Sequence, residues 1–105
     1  MSVREGFVCP NSKFFTQYLG EYLKYRRIKH PLLTQSELSK IVKISRTSYT
    51  AYENSTTIPS IDILFRIACN VYKESFPKFI IEYDKFLCKV DRQIKKHGCY
   101  FPGSI

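Results

Sequence analysis

Arg46, Thr47 and Thr50 lie within five residues of one another, with Lys40 and Lys43 just before them and Asn54, Thr56 and Thr57 just after. These side chains are hydrogen-bond donors, hydroxyls and cations. None is a nucleophile with a base at hand, so the chemistry open to them is non-covalent: gripping an acceptor-rich, negatively charged partner. The rest of the chain offers little else. The two histidines, His30 and His97, stand apart, without an acid–base pair, a nucleophile motif or a glycine-rich phosphate loop, which argues against an enzyme. The four cysteines, Cys9, Cys69, Cys88 and Cys99, form no C-x-x-C pair and do not cluster with the histidines, so no metal is expected. No cofactor is implied.

Such side chains must be held by rigid elements, and the stretch from Thr34 to Asn54 supplies them. Thr34-x-x-Glu37 is a capping box that opens one helix, with Leu38 and Val42 facing inward one turn apart. Ser45 caps the next helix, which turns Tyr49 and Tyr52 inward. Two short capped helices joined by a tight turn, with polar side chains at the start of the second, have the layout of a helix-turn-helix.

Bulk properties agree with an anionic partner. The chain has 105 residues, 44% of them hydrophobic, enough for one domain with one core. Its 17 Lys+Arg against 9 Asp+Glu give a formal charge of +8 and a pI near 9.4, the electrostatic footprint of nucleic-acid binding. No run approaches the ~18 apolar residues of a membrane span, and the N-terminus lacks the apolar stretch of a signal peptide. Reduced thiols in a cytoplasm are the expectation, with Cys69 and Cys88 as small core residues.

The remaining elements follow from pattern. Residues 1–11 read as an arm. A first helix is expected from Ser12, capped by Asn11 or Ser12, with Phe15, Leu19, Tyr22 and Leu23 as its core stripe and Pro31 as its stop. Ser60 caps a fourth helix, expected to be largely buried through Ile61, Leu64, Phe65, Ala68, Val71 and Tyr72. A last helix is expected from Ser75 to about Lys96. In it Phe76, Ile80, Tyr83, Leu87, Val90 and Ile94 step by alternating four and three. Its first turns are expected to pack on the domain and its distal part, at Tyr83, Leu87, Val90 and Ile94, to form a dimer seam. The chain thus divides into the arm, a DNA-binding unit over 12–79, and a dimerisation segment over 80–105.

From Leu33-Thr34-Gln35-x-Glu37-Leu38 through Ile44-Ser45-Arg46-Thr47-Ser48-Tyr49, Tyr52-Glu53-Asn54, Pro59-Ser60-x-x-x-Leu64 and Ile67-Ala68, the chain resembles the Cro/lambda-repressor-type (Xre-type) helix-turn-helix regulators. The resemblance covers roughly Leu19 to Phe79. It implies an all-α, five-helix lambda-repressor-like domain, here with a longer C-terminal helix, that binds double-stranded DNA in the major groove. It puts base contacts at Arg46, Thr47, Thr50 and Ala51, and phosphate contacts at Gln35, Lys43, Ser45, Asn54, Thr56 and Thr57. It also implies a structural ion pair of Glu53 with an arginine of the first helix, Arg26 first and Arg27 second. Three departures stand out. Lys43 and Ser55 occupy common glycine positions, and the His30-Pro31-Leu32 connection is longer than usual.

The function implied is a sequence-specific transcriptional regulator, a repressor acting as a homodimer on an inverted repeat. The alternative is an antitoxin that binds DNA and neutralises a partner toxin. In either case a protein antagonist is a natural controller, since no sensing domain is evident.

Overall fold

The computed structural model describes residues 16–30 and 33–97. It is all-helical over these residues. The helices are α1 (Leu19–Lys29), α2 (Gln35–Val42), α3 (Arg46–Glu53), α4 (Ile61–Arg66) and α5 (Phe76–His97), and α4 continues into a π-helical turn at Ile67–Val71. The arm, the expected caps at Asn11 and Ser12, Phe15, the stop at Pro31 and the tail after His97 lie outside the described residues, as do Cys9 and Cys99.

The caps are those that the local chemistry dictates. The Thr34 side chain accepts from the Glu37 N–H at 3.1 Å, while the Glu37 carboxylate accepts from the Thr34 N–H at 3.2 Å. Ser45 accepts from the Ser48 N–H at 3.0 Å, and Ser60 from the Ile63 N–H at 3.2 Å. Each satisfies an N–H that a helix start leaves open. Between α2 and α3 the chain reverses at Lys43, which adopts the left-handed conformation at φ 66°. Its N–H and that of Ile44 close on the carbonyls of Lys40 and Ser39 at 3.2 and 3.0 Å. A non-glycine residue there costs roughly 1–2 kcal/mol. Ser55, at φ 62°, plays the same part after α3.

The core gathers Leu19, Tyr22 and Leu23 of α1, Leu38 and Val42 of α2, Tyr49 of α3 and the Leu64, Ile67, Ala68 and Val71 stripe of α4 and its π turn. Against these lies α5, through Phe79, Tyr83, Phe86, Leu87 and Val90. The Tyr22 ring sits 5.3, 4.9 and 5.5 Å from those of Phe79, Tyr83 and Phe86, within the range of favourable aromatic pairing. Burial pushes the Tyr22 hydroxyl up to about 12 against the pull of Arg26. It therefore stays protonated, donates to the Phe79 carbonyl at 3.1 Å and accepts from Arg26 at 2.8 Å.

This packing corrects two expectations. Tyr83, Leu87 and Val90 are not a dimer seam: they are 0%, 4% and 0% exposed within the protomer, and Ile94 packs on the same core. The heptad-like stripe found its partner in the chain's own α1. The division at residue 79/80 accordingly falls inside α5 and marks no structural boundary. Conversely, α4 is less buried than its pattern implied. Ile61 is 74% and Phe65 52% exposed, because they lie at the edge of the arc that carries Leu64, Ile67, Ala68 and Val71. Cys69 and Cys88 are free thiols, each half-buried rather than in the core.

Gly20 fixes how closely α1 approaches the end of α3. A Cβ there would stand 2.5 Å from the Tyr52 carbonyl oxygen and 2.7 Å from that of Glu53. Backbone cannot yield as a side chain can. Gly20→Ala is therefore expected to cost about 1–3 kcal/mol despite the better helix propensity of alanine, read as a lower urea midpoint at unchanged m-value.

Candidate nucleic-acid interface

Beneath the polar face of α3 lies one buried carboxylate. Glu53 is 4% exposed. The Arg27 guanidinium donates to both its oxygens, Nε to Oε2 at 2.7 Å and a terminal nitrogen to Oε1 at 3.2 Å. Gln35 Nε2 adds a third bond to Oε1 at 2.9 Å, and Thr50 in turn donates to Gln35 Oε1 at 2.9 Å. Arg27 also reaches the Leu33 carbonyl at 3.3 Å. The chain of bonds thus joins the C-terminal half of α1, the N-terminus of α2 and the last turns of α3. Burial alone would raise the Glu53 carboxyl. The hydrogen bonds led by Arg27 outweigh it and hold the group below its ordinary value.

The ion pair thus forms with Arg27, the second choice, and not with Arg26. Gly20 and Arg27 are seven residues apart and within about 20° on the helix, so the face that meets α3 carries Arg27. Arg26 points the other way. It pairs with Glu74 at 2.8 Å and lies over the Tyr72 ring at 4.5 Å. Sequence reasoning missed both Glu74 and the close contact at Gly20. The seven-residue spacing from Gly20 to Arg27 was the available signal.

The same network redistributes the expected contacts. Thr50 is half-buried on the flank facing α2 and gives its hydroxyl proton to Gln35, so it is not aimed outward as a base contact. Gln35 gives one amide hydrogen to Glu53 and accepts from Thr50, which leaves its second amide hydrogen and its backbone N–H, in the first turn of α2, for an anion. The Ser45 hydroxyl is occupied by its cap and by Ser48 at 2.8 Å. Thr56 donates to the Ala51 carbonyl at 3.1 Å, fixing the loop after α3.

Exposed polar side chains remain on α3 and on the segments next to it in the chain. Arg46 and Thr47 stand at the solvent side of the first turn of α3, with Ala51 half-buried one turn on. Lys40 and Lys43 flank them from α2 and the turn, and Asn54, Thr56 and Thr57 from the loop beyond. Ser39 is 3% exposed on α2 and donates to the Ser36 carbonyl at 2.8 Å, and Ile44 packs on the core behind the turn. The face offers a guanidinium fork, a hydroxyl and a small apolar side chain within a ring of cations and polar groups. That arrangement can hydrogen-bond base edges and neutralise phosphates. Among the described residues, no helix is long and apolar enough to cross a membrane.

Residues 23–70 match the family model described as Helix-turn-helix. The match spans α2, the left-handed turn and α3, together with most of α1, all of α4 and most of the π turn. No curated protein and no solved structure matches the chain significantly.

Glu53→Gln is expected to cost about 3–5 kcal/mol near neutral pH, because Arg27 is left without its charge partner. A depressed carboxyl stabilises fully above its unfolded value and loses that contribution as pH falls through its folded one. The gap between the two proteins in urea unfolding should therefore narrow progressively below about pH 4.5, the ordinary value of the group.

Proposed function

We infer that this chain, a DNA-binding transcriptional regulator of the Cro/lambda-repressor helix-turn-helix type, acts as a repressor that binds an inverted-repeat operator as a homodimer. The observation that carries the reading is the exposed face of α3, held rigid from behind by the Glu53 network. Arg46 is assigned to a guanine through O6 and N7, and Thr47 to an adjoining base or a thymine methyl. Ala51 adds only apolar contact. Lys43, the backbone N–H groups at the start of α2, Asn54 and Thr57 are assigned to phosphates, which set register without reading sequence. A homodimer places two such faces in successive major grooves, about 34 Å apart.

The contact between copies is assigned to a new surface, since the α5 stripe is used internally. Ile58, Ile61 and Phe65 are 61%, 74% and 52% exposed. Ile61 and Phe65 stand one turn apart on α4, and Phe65 adjoins Phe76 at 6.1 Å between rings. The patch directly follows the loop that leaves the recognition helix, a position from which a two-fold partner extends the DNA-facing surface. An antitoxin role gives the same DNA-facing surface; co-purification of a second, toxic chain would favour it.

Selection of bound sites from random duplex DNA separates the roles. Arg46→Ala is expected to relax preference at one base position per half-site, at about 1–3 kcal/mol of discrimination. Lys43→Ala should weaken binding to all sequences alike and lower the salt slope by about one. Identical, sequence-independent losses from both changes would remove Arg46 from direct readout.

For the dimer, Ile61→Glu with Phe65→Glu is expected to shift sedimentation from dimer to monomer. Half-site affinity should be retained and affinity for the full inverted repeat lost. A dimer that survives the double change places the two-fold contact elsewhere.

A further inference from the structure

Lys78, Glu82, Lys85, Lys89 and Arg92 step along α5 by alternating four and three. They form one stripe about 21 Å long at 1.5 Å per residue. With the face of α1 opposite, this stripe bounds a groove of about 680 Å³. Six cations and two carboxylates line it. Two of the cations are already paired, Arg26 with Glu74 at 2.8 Å and Lys85 with Glu82 at 3.3 Å. Lys29, Lys78, Lys89 and Arg92 have no carboxylate partner among the described residues. Lys29 lies over the Tyr25 ring at 5.3 Å; gathering four cations without a carboxylate partner beside one groove costs self-repulsion.

DNA seated on α3 does not explain the groove. Lys29 lies about 180° round α1 from Gly20, nine residues at 100° each, and the Gly20 face is the one pressed against α3. The groove therefore opens on the far side of α1 from the recognition helix. Its walls also suit something other than a phosphate backbone. Tyr25 and Cys88 are half-buried and present apolar surface, and Glu82 interrupts the cations midway. A polyphosphate carries regularly spaced charge and no apolar side chains. It would leave the apolar surface of Tyr25 and Cys88 that still faces the groove uncovered. A helix with carboxylates on one side and apolar residues on the other satisfies both walls.

We propose that the groove between α1 and α5 is the docking site for an acidic, amphipathic segment of a partner protein. The site is separate from the DNA-facing surface and does not depend on which operator that surface reads. Electrostatic complementarity of this kind raises association rates and selects partners more than it adds raw affinity.

The test uses the full chain and a fluorescein-labelled helical peptide of about 18 residues, with glutamates on one face and leucines on the other, followed by fluorescence anisotropy. The peptide is expected to bind, and its glutamine analogue to bind about tenfold more weakly or worse. Combined Lys85→Glu, Lys89→Glu and Arg92→Glu should weaken the peptide about tenfold or more, while affinity for random-sequence duplex DNA changes by less than about threefold. Lys89→Ser alone, an exposed change that leaves the fold intact, should weaken the peptide about threefold and decides the matter if the triple variant does not fold. Absence of peptide binding, equal binding of the glutamine analogue, or a parallel loss of DNA affinity would overturn the proposal. The last outcome would make the groove a nucleic-acid surface.

Discussion

A carboxylate taken out of water is the constraint on which the rest of this structure depends. Burying the Glu53 charge is expensive unless donors surround it. The chain supplies them from two helices, Arg27 from α1 and Gln35 from the start of α2, to a carboxylate at the end of α3. Satisfying one group thereby sets the relative placement of three elements. Thr50 and Leu33 are recruited in turn, and the buried Tyr49 packs alongside, its hydroxyl pushed up by burial and by the neighbouring carboxylate. Specificity of orientation, more than added stability, is what such a network contributes.

That demand leaves fewer groups to face outward. With the hydroxyls of Thr50 and Ser45 engaged inside the unit, Arg46 and Thr47 are the polar side chains that the first turn of α3 keeps at its solvent side. On the proposed reading, a head this small would draw much of its discrimination from the spacing of paired half-sites and from DNA shape. The left-handed lysine in the turn fits the same economy. Glycine would relieve backbone strain at Lys43, whereas lysine places an exposed cation in the turn before α3.

Much of this was legible in the residues. The caps at Thr34, Ser45 and Ser60 are local chemistry, and each stands where its sequence signature put it. The left-handed turn at Lys43 and its counterpart at Ser55 were flagged by residues standing at common glycine positions. What local pattern could not decide was which partner a given face meets. Arg26 and Arg27 are adjacent, and only the close approach at Gly20 shows which one turns toward Glu53. The stripe through Tyr83, Leu87 and Val90 has the same period whether it packs on a second copy or on Tyr22 and Leu23 of its own chain. Ile61 and Phe65 fit a helical period with the buried residues yet fall at the edge of the arc that is covered. Thr50 could not be placed without the side chain of Gln35, fifteen residues earlier.

The bond from the Tyr22 hydroxyl to the Phe79 carbonyl spans 57 residues, and it sets an order of events during synthesis. Helix α1 is made early, yet its aromatic face has no permanent cover until Phe79, Tyr83 and Phe86 have been added. Until then the helix that anchors the recognition unit stands half-wrapped, with Tyr22 and Tyr25 open to chaperones or to unwanted association. A nascent chain halted before α5 would carry every residue of the helix-turn-helix and still lack the support that holds it in shape. The aromatic support behind α1 is thus completed late, as a property of the finished fold.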